Sequence, residues 1–225
     1  MDLKKILPEN GPPINEVSKY IEKYKNDLIV IKYGGNVFID RTIFHNFITD
    51  INILNKLGIS FAVVHGGGPR IKRELDKSNI QSKFIRGLRV TDEKIISIVE
   101  SVLIDFNNDI VESLKKCGTD AVSIHTKKNN IIKVTPEAKE LGFVGIPNKV
   151  DNNLIEKILN QKQVPIISPL GLGSDNHPYN INGDTAAGAI AKSLKSRRLL
   201  LMTNVEGVLD KNKKLIDEIS SSEIL

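Results

Sequence analysis

The residue in this sequence with the clearest chemical potential is Lys32, which lies inside the apolar run Leu28–Tyr33 (LIVIKY). A buried cation is unfavourable unless its ammonium group reaches an anion. Two interpretations follow: the side chain extends to solvent at a strand end, or it binds a phosphoryl group. Gly34 and Gly35 come directly after the strand, and bare backbone N–H groups at glycines can approach an anion closely. This combination favours the phosphoryl interpretation.

Two further glycine loops follow apolar runs. One is His65–Pro69 (HGGGP), after Phe61–Val64, and the other is Pro169–Gly173 (PLGLG), after Val164–Ser168. In an open parallel sheet, loops at the carboxyl ends of strands meet at one crevice, where ligands bind. The phosphate motifs GxxxxGK[ST] and GxGxxG are absent. The three loops therefore predict an anion site of another kind.

Polar side chains near two predicted helix starts extend this candidate site. Arg89 either forms a surface salt bridge or holds a carboxylate with both arms of its guanidinium. Asn180, Asn182 and Asp184 share one short loop. Asp184 is either a helix N-cap or a group that orients a lysine, and the asparagines suit a polar ligand.

The remaining reactive side chains favour no other chemistry. His65 has no nucleophile motif such as GxSxG beside it, so we interpret it as structural or as polar support. The other histidines are scattered, which argues against a metal site. Cys117 is the single cysteine, so it has no internal disulfide partner and favours a reduced setting.

Composition indicates a globular α/β protein of 225 residues, with 40% hydrophobic and 26% charged residues. The net charge of +5 comes from 32 Lys and Arg interspersed among 27 Asp and Glu, without the cluster typical of nucleic-acid binders. No apolar run approaches the ~18–20 residues of a membrane span, and the start lacks a signal-peptide core. We expect a cytoplasmic protein without nucleic-acid or membrane partners.

Short apolar runs alternate with segments of helical period, which predicts a mainly parallel sheet covered by helices. The predicted strands are Leu28–Tyr33, Phe61–Val64, Val164–Ser168 and Leu199–Thr203. Three predicted helices have both ends defined by the pattern: Ile14–Tyr24, Asn153–Asn160 and Thr185–Leu194. A fourth predicted helix has an apolar face from Phe44 to Leu57 and ends before Gly58, and a fifth has Pro69 in its first turn. The sixth is predicted to begin at a Thr91 cap and to run to Cys117. Ala121–Ile124 and Ile131–Val134 are predicted to pair as a β-hairpin.

Four motifs, in this order and spacing, resemble the acetylglutamate kinases of the amino acid kinase family. They are Lys32–Asn36, His65–Pro69, Gly87–Asp92 and Tyr179–Ala187, and the last two are the more specific. The likeness runs from about Ile14 to Asp217. It implies a three-layer αβα sandwich with a mainly parallel central sheet. It also implies one domain, 1–225, with an acetylglutamate-binding part at about 1–180 and the start of an ATP-binding part at about 181–225.

The resemblance implies a phosphotransferase that moves the γ-phosphoryl group of ATP, bound with Mg²⁺, to the side-chain carboxylate of N-acetyl-L-glutamate. Lys32 and Asp184 are the implied catalytic residues. The implied acetylglutamate contacts are Gly67, Gly68, Arg89, Asn180 and Asn182. The implied phosphoryl and nucleotide contacts are Gly34, Gly35, Thr203, Asn204, Val205 and Gly207.

The resemblance also carries expectations about assembly and completeness. It implies a homo-oligomer, either a dimer or a hexamer, and makes arginine a candidate feedback inhibitor. Family members continue beyond the position of Ser220 with a segment that holds a second catalytic lysine, whereas this sequence ends at Leu225, so we expect a C-terminally truncated fold. Two alternatives stay open: an impaired acetylglutamate-binding or regulatory fragment, and a kinase for another substrate such as glutamate, aspartate or carbamate.

Overall fold

A computed structural model describes residues 2–34, 40–203, 205–220 and 222–223. Its helices are α1 (Leu3–Ile6), α2 (Ile14–Tyr24), α3 (Arg41–Lys56), α4 (Gly68–Lys77), α5 (Glu93–Lys116), α6 (Asn152–Asn160) and α7 (Gly183–Ser193). Its strands are β1 (Leu28–Tyr33), β2 (Ser60–His65), β3 (Phe84–Ile85), β4 (Leu88–Arg89), β5 (Ala121–Ile124), β6 (Ile132–Pro136), β7 (Gly145–Val150), β8 (Val164–Ile167), β9 (Leu170–Leu172), β10 (Pro178–Asn180) and β11 (Arg198–Met202). A 3₁₀ helix spans Lys139–Leu141.

The central sheet has five strands in the order β11-β1-β2-β8-β5. Neighbouring strands are all parallel, as buried apolar runs joined by helices require. In the register of this sheet, Lys32 on β1 lies beside Val64 on one side and Leu201 on the other. The carboxyl ends of β1, β2 and β11 therefore meet at one edge of the sheet.

Helices cover both faces of this sheet. On one face, α3 and α5 pack against β1 and β2 around Phe47, Phe61 and Phe106. On the other face, α6 and α7 pack around Ile155 and Ile190. Phe61 and Phe106 are almost fully buried, and burying one such side chain contributes about 1.5–3 kcal/mol. The structure thus confirms the predicted αβα sandwich.

The predicted hairpin of Ala121–Ile124 with Ile131–Val134 is wrong. β5 pairs with β8 in the central sheet, whereas β6 pairs with β7 in a second sheet of order β10-β9-β6-β7. The connection between the two segments contains an isolated bridge between His125 and Lys128. The two runs have similar apolar patterns, and the deciding factor is their distant partners, which local periodicity does not show.

The prediction of a third glycine loop at Pro169–Gly173 is also wrong, because most of this segment is a strand. Leu170–Leu172 forms β9, and Gly171 lies where a side chain would clash with Val134. This glycine therefore permits close packing of the second sheet. Neither Gly171 nor Gly173 belongs to the pocket described below.

Local capping explains where the site helices begin. Asp92, not the predicted Thr91, caps α5, because its carboxylate accepts a hydrogen bond from Ile95 N at 2.8 Å. The Thr91 hydroxyl instead donates to Arg89 O at 2.8 Å. Gly58 follows α3 with a φ of +76°, a left-handed conformation that suits glycine and stops the helix as expected.

No helix within the described residues is both long enough and apolar enough to cross a membrane.

Candidate active site

The glycine loops after β1 and β2 pack backbone against backbone. Gly66 N donates to Tyr33 O at 2.7 Å, and Gly34 N donates to Met202 O at 3.3 Å. A Cβ on Gly66 would lie 3.3 Å from Gly34 Cα, closer than most side-chain contacts in proteins. Glycine at these positions therefore lets the strand ends converge on a small volume.

Lys32 places its ammonium group in that volume. Its side chain is only 12% exposed, and its Nζ lies 2.9 Å from Asp184 Oδ1. A Cβ on Gly34 would overlap this Nζ, and one on Gly183 would lie 3.5 Å from Lys32 Cε. Because Gly34 and Gly183 have no side chains, there is space between them for the ammonium group of Lys32.

Asp184 is free to pair with Lys32 because another residue caps its helix. The Asn182 side-chain oxygen accepts hydrogen bonds from Asp184 N at 2.9 Å and Thr185 N at 3.1 Å, so Asn182 is the N-cap of α7. The Asp184 side chain is 55% exposed, and its position in the first turn suits an anion near the positive end of the helix dipole. The N-cap interpretation of Asp184 is therefore wrong.

Arg89 forms another wall of the pocket and is largely buried. Its guanidinium donates to Ser82 Oγ and to Gly68 O, the latter at 3.5 Å, and its Cζ lies 4.7 Å from the centre of the Phe84 ring. Burial lowers the pKa of Arg89, and the nearby Asp76 partly opposes this shift. The side chain thus presents a partly desolvated cation held by a planar aromatic partner.

Asn180, at the end of β10, also lines the pocket. Its N–H donates to Phe143 O at 2.9 Å, and its Nδ2 lies 3.5 Å from Thr91 Oγ1. Thr91 is fully buried, and its backbone bonds to Leu141 and Phe143 on either side of Gly142. Asn180 is therefore anchored to the segment that carries Arg89.

These groups line one pocket of about 290 Å³, near the lower end of the ~300–1,000 Å³ usual for small-ligand sites. Among its lining residues are eight of the predicted site residues. These are Lys32, Gly34, Gly67, Gly68, Arg89, Asn180, Asn182 and Asp184. The pocket thus combines two cations, one carboxylate and several backbone amides, a set suited to holding an anionic substrate.

The remaining predicted site residues do not join this group. Thr203, Val205 and Gly207 are exposed and do not line the pocket. Gly35 and Asn204 lie outside the described residues.

Sequence reasoning missed Phe84, which lines the pocket from the β3–β4 hairpin. A signal was present, because Arg86-Gly87 lies between the apolar residues Ile85 and Leu88, and a residue followed by glycine suits a tight two-residue hairpin turn, in which both residues here have positive φ. The strands are only two residues long, too short for periodicity to reveal them.

The described residues contain no group of three His, Cys, Asp or Glu side chains arranged to hold a metal ion.

The fold and the pocket define a small-molecule phosphotransferase with a parallel αβα core, and comparison with known proteins gives its family. Residues 27–225 match the amino acid kinase family, and the chain belongs to this family. It is 51% identical to the acetylglutamate kinase of Pelagibacter ubique over 222 residues, which cover 99% of this chain and 77% of that protein.

Two further relatives agree with this placement. The chain is 41% identical to the acetylglutamate kinase of Gluconobacter oxydans, with 92% of this chain and 75% of that protein covered. Among solved structures, smu.665 from Streptococcus mutans superposes with a TM-score of 0.75 at 31% identity, covering 82% of this chain and 76% of that chain.

Proposed function

We propose that this protein transfers the γ-phosphoryl group of ATP to the side-chain carboxylate of N-acetyl-L-glutamate, giving an acyl phosphate for arginine biosynthesis. One structural observation supports this most directly: Lys32, the glycine amides and Arg89 line a single pocket. The similarity to acetylglutamate kinases supports the choice of substrate.

The reaction needs no general base. A glutamate-type carboxylate has a pKa of about 4, so it is already ionised at neutral pH. A carboxylate oxygen attacks the γ-phosphorus, the bond from that phosphorus to the β–γ bridging oxygen breaks, and ADP leaves. The protein must therefore hold two anions together and neutralise charge in the transition state.

The pocket residues divide this work by position. Lys32 supplies the cation for the transferring group, and Asp184 holds its ammonium in place through the 2.9 Å contact. The N–H groups of Gly34, Gly67 and Gly68 are the candidate donors to phosphoryl and carboxylate oxygens. Arg89 and Asn180 are the candidate partners of the carboxylate and acetamide that do not react, with Asn182 shaping the loop between them.

ATP enters as its Mg²⁺ complex, in which the ion neutralises phosphate charge. Gly35, Thr203, Asn204, Val205 and Gly207 remain the proposed additional nucleotide contacts.

The proposal also includes self-association as a dimer or hexamer and inhibition by arginine. Ile14 and Tyr20 on α2 are 40% and 58% exposed, which is consistent with contact to another copy.

The test is hydroxylamine trapping of the acyl phosphate, with ADP release measured in parallel. We expect hydroxamate from N-acetylglutamate and much less from glutamate, aspartate or carbamate. Calorimetric binding of acetylglutamate without turnover would instead identify a binding fragment. Sedimentation with and without arginine then measures assembly and its response to the inhibitor.

A further inference from the structure

His65 lies directly beneath the glycine loop and is completely buried. Its Nδ1 is 2.8 Å from Gly66 O, and its Nε2 is 3.1 Å from Asn107 Nδ2 and 3.2 Å from Ser168 Oγ. The ring also packs edge-on against Phe106 at 5.0 Å. Each ring nitrogen therefore has a polar partner inside an otherwise apolar core.

These partners fix the protonation state of the ring. Gly66 O can only accept a hydrogen bond, so Nδ1 must carry the proton. Asn107 Nδ2 can only donate, so Nε2 must present its lone pair. The imidazole is therefore neutral with its proton on Nδ1, and a proton added at Nε2 would face the Asn107 amide hydrogens.

Asn107 cannot turn its amide around to relieve that conflict. Its Nδ2 also donates to Ile166 O at 2.9 Å, and its Oδ1 accepts from Ser123 Oγ at 2.5 Å. The network joins β2, α5, β5 and β8, so its atoms are held by four separate elements. A rigid frame of this kind defines the direction of the Nδ1–H bond as well as its existence.

The bond to Gly66 sets the orientation of the next peptide group. In a planar trans peptide the carbonyl of one residue and the N–H of the following residue point in opposite directions. With Gly66 O turned toward His65, the Gly67 N–H points away from it. Gly67 lines the pocket, and its N–H has no hydrogen-bond partner among the described residues.

We propose that His65 is a positioning residue for phosphoryl transfer: Asn107 fixes its ring, and its Nδ1–H holds the Gly66 carbonyl so that the Gly67 N–H faces the reacting anion. This inference rests on the proposed function and extends it to a residue that does not touch substrate. A backbone donor aimed at developing charge is effective only if its direction is set before the reaction.

Two amide substitutions separate this role from simple packing. In His65→Asn the side-chain Nδ2 stands where the imidazole Nδ1 stood and still donates to Gly66 O. In His65→Gln the amide reaches the Nε2 position and meets Asn107, but the bond to Gly66 is lost. Both variants keep a neutral polar group and lose one of the two links, so their stability changes should be similar.

We expect His65→Asn to keep kcat within about 3-fold of the unchanged chain, whereas His65→Gln lowers it about 10- to 100-fold with little change in KM for acetylglutamate. Ser168→Ala is the matched control, because it removes the Ser168 contacts to Nε2 and to Asn107 Nδ2 but leaves the Nε2–Asn107 and Nδ1–Gly66 contacts of the ring in place. It should retain near-normal kcat. Thermal melting of all variants identifies any that fail to fold, and equal kcat for the Asn and Gln variants would overturn the proposal.

A second readout does not depend on turnover. In the ¹⁵N-labelled chain, His65 should show a protonated Nδ1 and an unprotonated Nε2. The Gly67 amide resonance should shift on addition of acetylglutamate and a non-hydrolysable ATP analogue in the unchanged chain and in His65→Asn, but much less in His65→Gln. A protonated Nε2, or the same Gly67 response in both variants, would refute the positioning role. Absence of hydroxamate from the unchanged chain would refute the proposed kinase function instead.

Discussion

Lys32 and Asp184 are distant in the sequence, yet Lys32 Nζ and Asp184 Oδ1 lie 2.9 Å apart at the edge of the central sheet. The lysine side chain is 12% exposed and the carboxylate is 55% exposed, so only the cation is largely removed from water. Without a phosphoryl group in the pocket, Asp184 provides the charge that such a lysine needs. In the proposed reaction, the same contact directs the ammonium group.

Replacing the lysine is the most direct test of this pair. Lys32→Met keeps the length and apolar stem of the side chain but removes its charge, so we expect kcat in the hydroxamate assay to fall about 100- to 1,000-fold. Asp184→Asn leaves the cation in place and should lower kcat less. Lys72→Met is the control, since Lys72 is a solvent-exposed residue of α4 that pairs with Asp76 and does not line the pocket. An unchanged kcat for Lys32→Met would contradict the assigned role.

Substitutions of Arg89 should act on substrate binding more than on the chemical step. Arg89→Lys keeps the charge but loses the planar fork, so we expect KM for acetylglutamate to rise about tenfold or more. Phe84→Leu removes the ring that lies 4.7 Å from the guanidinium and should have a smaller effect in the same direction.

Calorimetric titration with acetylglutamate measures this effect directly. Arg86→Lys, an exposed change in the turn of the same hairpin, is the control and should bind normally. If Arg89→Lys bound as tightly as the unchanged chain, Arg89 would not hold the carboxylate.

Two glycine substitutions should change stability in opposite directions. Gly142 has a φ of +66°, and a Cβ there would overlap the carbonyl oxygen of Thr91, so Gly142→Ala should destabilise the fold by about 1–3 kcal/mol. Gly188 is inside α7, and a Cβ there would contact nothing within 4 Å. Gly188→Ala should therefore stabilise by about 0.5–1 kcal/mol. Urea unfolding measures both, and the same sign for the two changes would be inconsistent with these backbone geometries.

The neutral His65 ring should make the protein less stable in acid. Complete burial, with smaller contributions from the charges of Arg70 and His125, lowers the pKa of His65 to about 4, although the hydrogen bond to Gly66 acts in the opposite direction. Between this value and its ordinary pKa of 6.5, the unfolded chain binds a proton that the folded chain does not. Stability from this group is therefore full above about 6.5 and falls by up to about 3 kcal/mol as pH drops toward 4.

Comparison of urea unfolding at pH 7 and pH 5 isolates this contribution. The loss of stability should be smaller in His65→Asn, which has no group that titrates in this range at position 65. His177 acts in the opposite sense: its partial burial opposes protonation, but hydrogen bonds to Pro178 and Glu93 raise its pKa overall, so its contribution is present at low pH and lost as pH rises. Identical pH dependence in the two proteins would show that His65 does not titrate as described.

The sequence predicted those features that depend on local pattern. The bounds of α2 and β1 agree residue for residue, and Gly58 ends α3 as expected, because hydrophobic period and glycine conformation are properties of short segments. The convergence of Lys32 and Gly67 also follows from the rule for parallel strand ends, whereas Asp184 enters the pocket from α7, which follows β10 of the second sheet.

What local pattern did not predict depends on contacts between distant segments. β5 and β6 join different sheets because their partners, β8 and β7, come later in the chain. Asn182 caps α7 and Asp184 pairs with Lys32 instead, a contact with a distant strand that no property of the loop itself reveals. The role of Phe84 depends on its approach to Arg89 and needed the folded structure to appear.

The position of β1 between β2 and β11 has a consequence for synthesis of the protein. A ribosome produces β1 early, but its second neighbour exists only once Met202 has been added. Until then, the row of N–H and C=O groups along that side of β1 is open to pairing with other nascent chains. We therefore expect β1, the strand that carries Lys32, to be the last strand of the central sheet to gain its second neighbour. Before Met202 is synthesised, β1 should be the strand that depends most on chaperones.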